Sequence, residues 1–132
     1  CGFLKAISLY KKEDIEKIKK IKDYYLFRLS EIKNVDINTP INSSPSIVNI
    51  SFKGVRAEVL LNYLSTNDIY VSTGSACSGN KGDSKILKAI NLNQESINGS
   101  IRVSFSCENT FEEIDMFFDI LTPFLEMARS IK

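Results

Sequence analysis

The sequence predicts an α+β fold in which a small sheet of a few strands, mixed or antiparallel, packs against helices. Apolar residues recur at helical spacing over residues 12–33 and again after residue 110, whereas two runs, 46–52 and 100–105, alternate between apolar and polar residues as strands do. The chain has 132 residues, of which 43% are hydrophobic. This is enough for one domain with a core of its own.

Composition narrows the class of protein. The net charge of +1 gives no reason to expect a direct nucleic-acid partner or an acidic membrane surface. No apolar run approaches the roughly 20 residues of a membrane span, and no signal peptide is expected, so we expect a cytoplasmic protein. Three cysteines without any histidine disfavour a disulfide scaffold or a self-contained metal site. A cysteine nucleophile activated by a histidine of the same chain is excluded.

The first half of the chain is predicted to begin with two helices. Residues 2–10 can form a short one. The apolar stripe from Lys12 to Lys33 defines a longer helix with acidic residues in its first turns, where they complement the helix dipole. The lysines of this helix are expected on its solvated face: Lys17, Lys19, Lys20 and Lys22.

Two strands follow, separated by a loop rich in Asn, Ser and Pro. Val35–Ile37 is a candidate short strand. Ser46–Phe52 is predicted as a strand in which Val48, Ile50 and Phe52 share one face. Asn49 therefore lies on the other face.

The next part of the chain is predicted to run helix, strand, loop, helix. The helix Arg56–Leu64 is expected to end near Asn67, a residue type that tolerates the left-handed conformation after a helix. Ile69–Val71 has the apolar character of a strand. After the loop, Asp83 can cap a helix that continues to about Ile90.

The last part of the chain contains a strand and the closing helix. In the strand Ser100–Phe105, Arg102 points away from the apolar face, so it either meets solvent or lines a cleft. Thr110 and Glu113 have the spacing of a capping box at the start of the closing helix. Pro123 costs about 3 kcal/mol inside a continuous helix, which predicts a kink or a break near Leu121.

A small polar loop carries Cys77 between the strand and the helix that flank it. Three glycines and three serines in residues 72–82 leave little bulk to bury the thiol and allow the backbone to move. Loops on a rigid scaffold often carry reactive groups. The pattern predicts an exposed, mobile thiol, whose ionisation Lys81, Lys85, backbone N–H groups or a bound substrate can promote.

These segments also carry a resemblance. Residues 49–52, 54–56, 69–78, 84, 86–89 and 99–105, in this order, resemble the C-terminal part of the pyridoxal-phosphate-dependent cysteine desulfurases, which belong to the class V aminotransferase group. The most specific part is Ser-x-Gly-Ser-Ala-Cys at 72–77, followed by Ser-Ile-Arg-x-Ser-Phe at 100–105. The resemblance implies the small C-terminal domain of a fold-type I enzyme.

The resemblance also implies roles for individual residues. Cys77 corresponds to the nucleophile that takes the sulfur of L-cysteine, leaves L-alanine and keeps a persulfide for an acceptor protein. Arg102 corresponds to the arginine that grips the substrate carboxylate, and Asn49 to a polar position near the substrate. The remaining implied positions belong to the mobile loop that carries the persulfide: Ser72, Thr73, Gly74, Ser75, Ala76, Ser78 and Gly79.

The departures from the family are equally informative. The family's cofactor lysine and its accompanying histidine and aspartate lie in a large upstream domain, whose motifs are missing here. We therefore expect pyridoxal 5′-phosphate only in the full-length homodimeric enzyme, and no cofactor or metal ligand in this chain. Residues 1–11 are interpreted as the remnant of the connection from that domain, and residues 12–132 as the small C-terminal domain, inactive when isolated.

The singled-out residues, and the chain as a whole, also have simpler interpretations. Cys1 and Cys107 are interpreted as small hydrophobic residues. Arg102 can be a surface salt-bridge partner, and Asn49 can simply satisfy backbone groups. For the whole chain, the alternatives are a noncatalytic interaction or dimerisation module, and Cys77 as one ligand of a metal or cluster shared between chains. The resemblance itself leaves open whether the sulfur serves iron-sulfur cluster assembly or tRNA thiolation.

Overall fold

The structure is a computed structural model that describes residues 2–9, 11–73 and 85–130. Its helices and strands confirm the predicted α+β class. They follow one another along the chain as α1 (Gly2–Leu9), α2 (Lys12–Leu29), β1 (Val35–Ile37), β2 (Ile47–Phe52), α3 (Ala57–Ser65), α4 (Lys85–Ala89), α5 (Gln94–Asn98), β3 (Ser100–Ser104) and α6 (Phe111–Ser130).

The three strands form one antiparallel sheet in the order β1, β2, β3. β2 is central, and its register sets Asn49 directly opposite Arg102 of β3. Gly99 permits the close approach of the chain that enters β3, because a Cβ there would lie 2.2 Å from the backbone oxygen of Phe52. The sheet therefore brings two distant segments of the sequence into contact at residues 49 and 102.

The core lies between one face of the sheet and helices α2, α3 and α6. Val48, Ile50 and Phe52 are fully buried there, as the alternation in β2 predicts. Tyr25 of α2 packs its ring against aromatic residues of β3's end and of α6. Burial of apolar and aromatic surface at this interface is the main stabilising contribution to the fold.

The opposite face of the sheet is also partly covered. Ser51 and Ser100 are buried on that face, where α5 packs against β2 and the chain after β1 folds back. Asn38 donates from Nδ2 to Asn49 Oδ1 (2.7 Å) and to Ser51 Oγ (2.8 Å). Hydrogen bonds of this kind satisfy polar groups that would otherwise be costly to bury.

The prediction of a strand at Ile69–Val71 is wrong. Among the described residues of this segment, only Ser72 pairs with β3, as an isolated antiparallel bridge to Arg102. The chain leaves α3 through Asp68, which has a φ of 59°, and Ile69 donates its N–H to the oxygen of Leu64. Tyr70 makes no described backbone hydrogen bond to Ser104, which would be its next partner in β3, so the ladder does not extend towards α3. The left-handed residue is thus Asp68 and not Asn67.

The placement of Lys22 on the solvated face of α2 is also wrong. Its side chain is 7% exposed, and its Nζ donates to Ser43 Oγ (2.9 Å) and to the backbone oxygen of Ser44 (2.8 Å). Because the loop after β1 folds over this part of α2, a lysine on the polar side of the stripe is buried by a segment distant in sequence.

The break predicted at Pro123 does not occur, because α6 continues from Phe111 to Ser130. Leu121, Phe124 and Leu125 are buried on both sides of the proline. Their burial contributes several kcal/mol and exceeds the cost of about 3 kcal/mol for an internal proline. The predicted capping box is confirmed, since Glu113 N–H donates to Thr110 Oγ1 (3.2 Å) and Thr110 N–H to Glu113 Oε2 (3.1 Å).

No helix among the described residues is long and apolar enough to cross a membrane. In α1, large apolar side chains remain exposed, among them Phe3 at 75%. Helix α5 was not predicted, and the proposed cap at Asp83 lies outside the described residues.

Candidate functional site

Three of the predicted site residues lie in one row across the sheet. Asn49 of β2 is the direct partner of Arg102 of β3, and Ser72 is the direct partner of Arg102 on its other side. Directly opposite residues of antiparallel strands project from the same face of a sheet. Asn49, Arg102 and Ser72 therefore share the face that points away from the helical core.

Two backbone hydrogen bonds join Ser72 to Arg102. Ser72 N–H donates to the oxygen of Arg102 at 3.1 Å, and Arg102 N–H donates to the oxygen of Ser72 at 2.6 Å. Cys77 follows Ser72 by five residues in the sequence, and five residues span at most about 17 Å. The bridge therefore limits the distance of the Cys77 backbone from the Arg102 backbone.

Arg102 is exposed, as predicted for a residue on the non-core face. No carboxylate within residues 2–9, 11–73 and 85–130 forms an ion pair with it, although Arg28 has two such partners and Lys53 and Arg56 have one each. A guanidinium presents parallel N–H donors that match both oxygens of a carboxylate. Arg102 is thus chemically suited to bind a carboxylate that comes from a ligand.

The amide of Asn49 is held by its neighbours. Its Oδ1 accepts from Asn38 Nδ2 (2.7 Å) and from Ser100 Oγ (3.0 Å), and its Nδ2 donates to the oxygen of Ile101 (3.1 Å). These contacts correspond to the interpretation in which Asn49 satisfies sheet groups. One N–H of its amide remains for a further acceptor, and its role towards a substrate stays a prediction.

Of the predicted loop residues, the structure describes those up to residue 73. Ser72 and Thr73 are described and partly buried. The nucleophile candidate Cys77 lies outside the described residues, together with the other predicted loop positions Gly74, Ser75, Ala76, Ser78 and Gly79. Cys107 is a free cysteine of intermediate burial at the end of the β3 segment.

Sequence reasoning missed a cavity of about 210 Å³ beside this row. Ile69–Val71 form one wall of the cavity, residues 103–105 form the opposite wall, and the start of α6 closes it. Tyr25 also lines it, and the hydroxyl of Tyr25 is buried without a hydrogen-bond partner. Burial raises the pKa of Tyr25 well above its usual range. The cavity depends on where Ile69–Val71 separate from β3, which no local pattern in the sequence indicates.

Pyridoxal phosphate requires a lysine amine that is free to form an imine. Lys22 is the buried lysine of the described residues, but its ammonium is already bound to Ser43 and Ser44. Within the described part of the chain, the cavity has no lysine in its lining. These residues do not fit the cofactor. The described residues also contain no cluster of three or more potential metal-binding side chains.

Comparison with known proteins places this geometry in context. A family model described as aminotransferase class-V matches residues 1–117. A cysteine desulfurase IscS from Dictyoglomus turgidum is 35% identical over 136 residues, which cover 98% of this chain and 34% of the relative. A cysteine desulfurase IscS from Clostridium botulinum is 35% identical over 138 residues, covering 98% of this chain and 35% of the relative. The chain thus spans about a third of the length of these curated relatives.

Solved structures show the same architecture. A NifS-like protein from Rickettsia africae superposes with a TM-score of 0.76 at 25% identity, over 87% of this chain and 30% of that one. The cysteine desulfurase CsdA from Escherichia coli gives a TM-score of 0.74 over 94% of this chain and 28% of that one. At 17% identity, this second likeness concerns the fold alone.

Proposed function

Because the chain belongs to the class-V aminotransferase family and resembles cysteine desulfurases over nearly its whole length, we propose that it is the sulfur-carrying small domain of a cysteine desulfurase. The longer protein removes sulfur from L-cysteine, releases L-alanine and holds the sulfur as a persulfide on Cys77. Within the chain, residues 1–11 connect to the rest of the polypeptide, and residues 12–132 form the small domain.

The observation that carries the proposal is the backbone bridge between Ser72 and Arg102. It joins the start of the cysteine-containing loop to the residue that we propose binds the substrate carboxylate. A sulfur transfer requires the attacking thiol and the bound substrate to meet at about 3–3.5 Å. A loop that begins beside the carboxylate-binding residue and has a reach of about 17 Å is compatible with that approach.

Arg102 binds the carboxylate of L-cysteine through two parallel hydrogen bonds in this proposal. Its exposure and its lack of an acidic partner among the described residues support the role. The β2 and β3 pairing holds the backbone of Arg102 from the other side. The guanidinium is therefore presented from a rigid strand, which gives more precise orientation than a loop would.

We propose that another part of the longer protein holds pyridoxal phosphate, as the resemblance to the family implies. We propose that the 132-residue chain alone has no desulfurase activity. The full-length enzyme is proposed to be a cytoplasmic homodimer that passes sulfur to an acceptor protein, either for iron-sulfur cluster assembly or for tRNA thiolation. The resemblance to the family supports these assignments.

The test uses the full-length protein with its cofactor and a Cys77→Ala variant. L-cysteine and a reductant are supplied, and alanine and sulfide are quantified together. We expect the wild type to release both products and the variant to release neither above background. Full turnover by Cys77→Ala would remove Cys77 from the mechanism and overturn the proposal.

A second candidate function, a noncatalytic interaction or dimerisation module, is favoured by one feature. Helix α1 exposes Phe3, Leu4 and Ile7, at 75%, 68% and 56% of their surfaces. Exposed apolar side chains grouped on one element mark surfaces that pack against another chain or segment. Under this alternative, Phe3→Ser abolishes self-association in sedimentation while Cys77→Ala leaves every measured property of the protein unaltered.

A further inference from the structure

We infer that Ser72 is a positioning residue for Cys77: its backbone pairing with Arg102 holds the start of the thiol-bearing loop in register with the proposed carboxylate-binding strand. The inference rests on the proposed function and assigns a task to a residue that neither binds substrate nor reacts. Three features of the described residues carry it.

The first feature is that the link uses the backbone alone. Ser72 and Arg102 exchange two hydrogen bonds, at 3.1 and 2.6 Å. The hydroxyl of Ser72, in contrast, is buried and makes no hydrogen bond. A buried, unpaired hydroxyl contributes nothing favourable. The side chain therefore cannot account for the position of this segment.

The second feature is that the bridge is isolated on the side towards α3. In a continued antiparallel ladder, Tyr70 and Ser104 would form the next hydrogen-bonded pair. In the described structure, no backbone hydrogen bond joins these two residues. The cavity of about 210 Å³ lies at this opening, between Ile69–Val71 and residues 103–105. The Ser72–Arg102 bridge is thus the backbone pairing that joins the described part of this segment to β3, while Ile69 and Val71 pack against the core.

The third feature is the distance to the next fixed point. Upstream of Ser72, the nearest described backbone hydrogen bond of this segment runs from Ile69 N–H to the oxygen of Leu64, at 3.0 Å. Loss of the bridge would move the last described backbone hydrogen bond before Cys77 from residue 72 back to residue 69. The maximal reach would grow from about 17 Å to about 27 Å. For a freely jointed chain in general, lengthening from five to eight residues lowers the effective concentration of the end by only about twofold.

A loss of rate larger than twofold therefore cannot come from the longer chain alone. It would show that the geometry imposed by the bridge matters for the reaction. Misplacement of a reacting group by about 1 Å can lower a rate by about 100-fold. The proposal predicts a loss between these limits when the bridge is removed. It also predicts that substrate binding persists, because β3 remains paired with β2 along its entire length.

The experiment compares two proline variants of the cofactor-loaded full-length enzyme. Ser72→Pro removes the N–H that donates to Arg102. Tyr70→Pro is the matched control, since it places a proline in the same segment at an N–H without a described backbone partner, in a residue that is 78% exposed. The measurements are the first-turnover rate constant of alanine formation, the persulfide on Cys77 by mass spectrometry, and the Kd of L-alanine.

We expect Ser72→Pro to lower the first-turnover rate constant about tenfold relative to Tyr70→Pro, with the Kd of L-alanine changed by less than about twofold. Alkylation of Cys77 by iodoacetamide should be as fast in Ser72→Pro as in Tyr70→Pro, because the thiol itself is intact. A rate constant within about twofold of the control would overturn the inference, because tether length alone explains such a change. A loss of L-alanine affinity as large as the loss of rate would also overturn the inference.

A second pair of variants decides the matter should Ser72→Pro fail to fold. Ser72→Gly and Ser72→Ala both lack the hydroxyl and both keep the two backbone hydrogen-bonding groups, but glycine has the greater backbone freedom. We expect a lower first-turnover rate constant for Ser72→Gly than for Ser72→Ala, and equal values would overturn the inference. Turnover by Cys77→Ala, in contrast, would overturn the proposed function itself, whatever the Ser72 variants show.

Discussion

The two edges of strand β3 differ in how firmly they are held. On one edge, β3 pairs with β2 from Ser100 to Ser104, and its buried residues join the core. On the other edge, the described chain makes one pair, between Arg102 and Ser72, and then separates to leave a cavity. The β2 ladder thus holds the backbone of Arg102, while the described segment that leads to Cys77 makes a single backbone pair with β3.

This difference suits the proposed reaction, in which Arg102 stays in place and Cys77 moves between the substrate and an acceptor. A substrate-binding residue works best on a rigid element. A residue that carries sulfur from a buried site to an acceptor must leave that site afterwards, and segments with few buried contacts open at low free-energy cost. In the proposed function, the same strand holds the backbone of Arg102 through β2 and makes one described pair with the segment before Cys77.

The sharpest contrast between the two edges should be seen in stability. Ile101→Ala truncates a fully buried residue of β3 on the β2 side and is expected to lower the free energy of unfolding by about 3 kcal/mol. Ile69→Ala, in the partly buried segment on the other side, is expected to cost about 1 kcal/mol. Urea unfolding of both variants checks this. Equal losses would show that the two edges are held equally firmly.

The next largest effect is expected in catalysis, at Arg102. Arg102→Lys keeps the charge but loses the two parallel donors, so kcat/KM of the full-length enzyme for L-cysteine should fall at least about tenfold, or about 1.4 kcal/mol. Arg56→Lys, at an exposed arginine paired with Glu58, serves as the control and should stay within about twofold of the wild type. Unchanged KM and kcat/KM in Arg102→Lys would contradict the carboxylate-binding role.

Asn49→Ala distinguishes the two interpretations of Asn49, as a residue that satisfies sheet groups or as one that contacts the substrate. The change leaves Asn38 and Ser100 without the oxygen that they share, so the free energy of unfolding should fall by about 1 kcal/mol. Asn62→Ala, at an exposed position of α3, should change it by less than about 0.5 kcal/mol. A raised KM for L-cysteine in a variant of unchanged stability would instead assign Asn49 to substrate binding.

The smallest effect is expected at the start of α6. A side-chain hydrogen bond from Asn109 and a backbone hydrogen bond from Thr110 hold the pKa of Glu113 below its ordinary value. A folded-state pKa below the unfolded one contributes stability above the unfolded pKa, about 4.3, and this contribution is lost as the pH falls through the folded pKa. The stability difference between wild type and Glu113→Gln should therefore shrink from pH 7 to pH 3. A difference that grows towards acid would contradict this assignment.

Much of the fold was predictable because its signals are local or periodic. The alternation in β2 and β3 identified the buried faces, and the spacing of Thr110 and Glu113 identified the start of α6. The predictions failed where a distant segment decided the outcome. Lys22 is buried by the loop after β1, and the helix through Pro123 is maintained by apolar residues on both sides of it. Neither contact is visible in the local sequence.

The candidate site was predictable to a different degree at each residue. The direction of Arg102 followed from the alternation of β3, and its exposure confirms that direction. The dense hydrogen bonding of Asn49 did not follow, because its partners Asn38 and Ser100 come from separate parts of the chain. The open ladder beside Ser72 also did not follow, since an apolar run such as Ile69–Val71 has the same composition whether or not it pairs.

By itself, the sequence determined the α+β class, the core-facing side of each strand and the family to which Cys77 and Arg102 can be assigned, because periodicity and motifs are properties of consecutive residues. Only the tertiary structure decided that Asn49, Arg102 and Ser72 lie in one row, and that Ser72, in the described part of the segment before Cys77, pairs with β3. Register and strand pairing depend on contacts between segments far apart in the chain, and such contacts form only when the whole core is assembled.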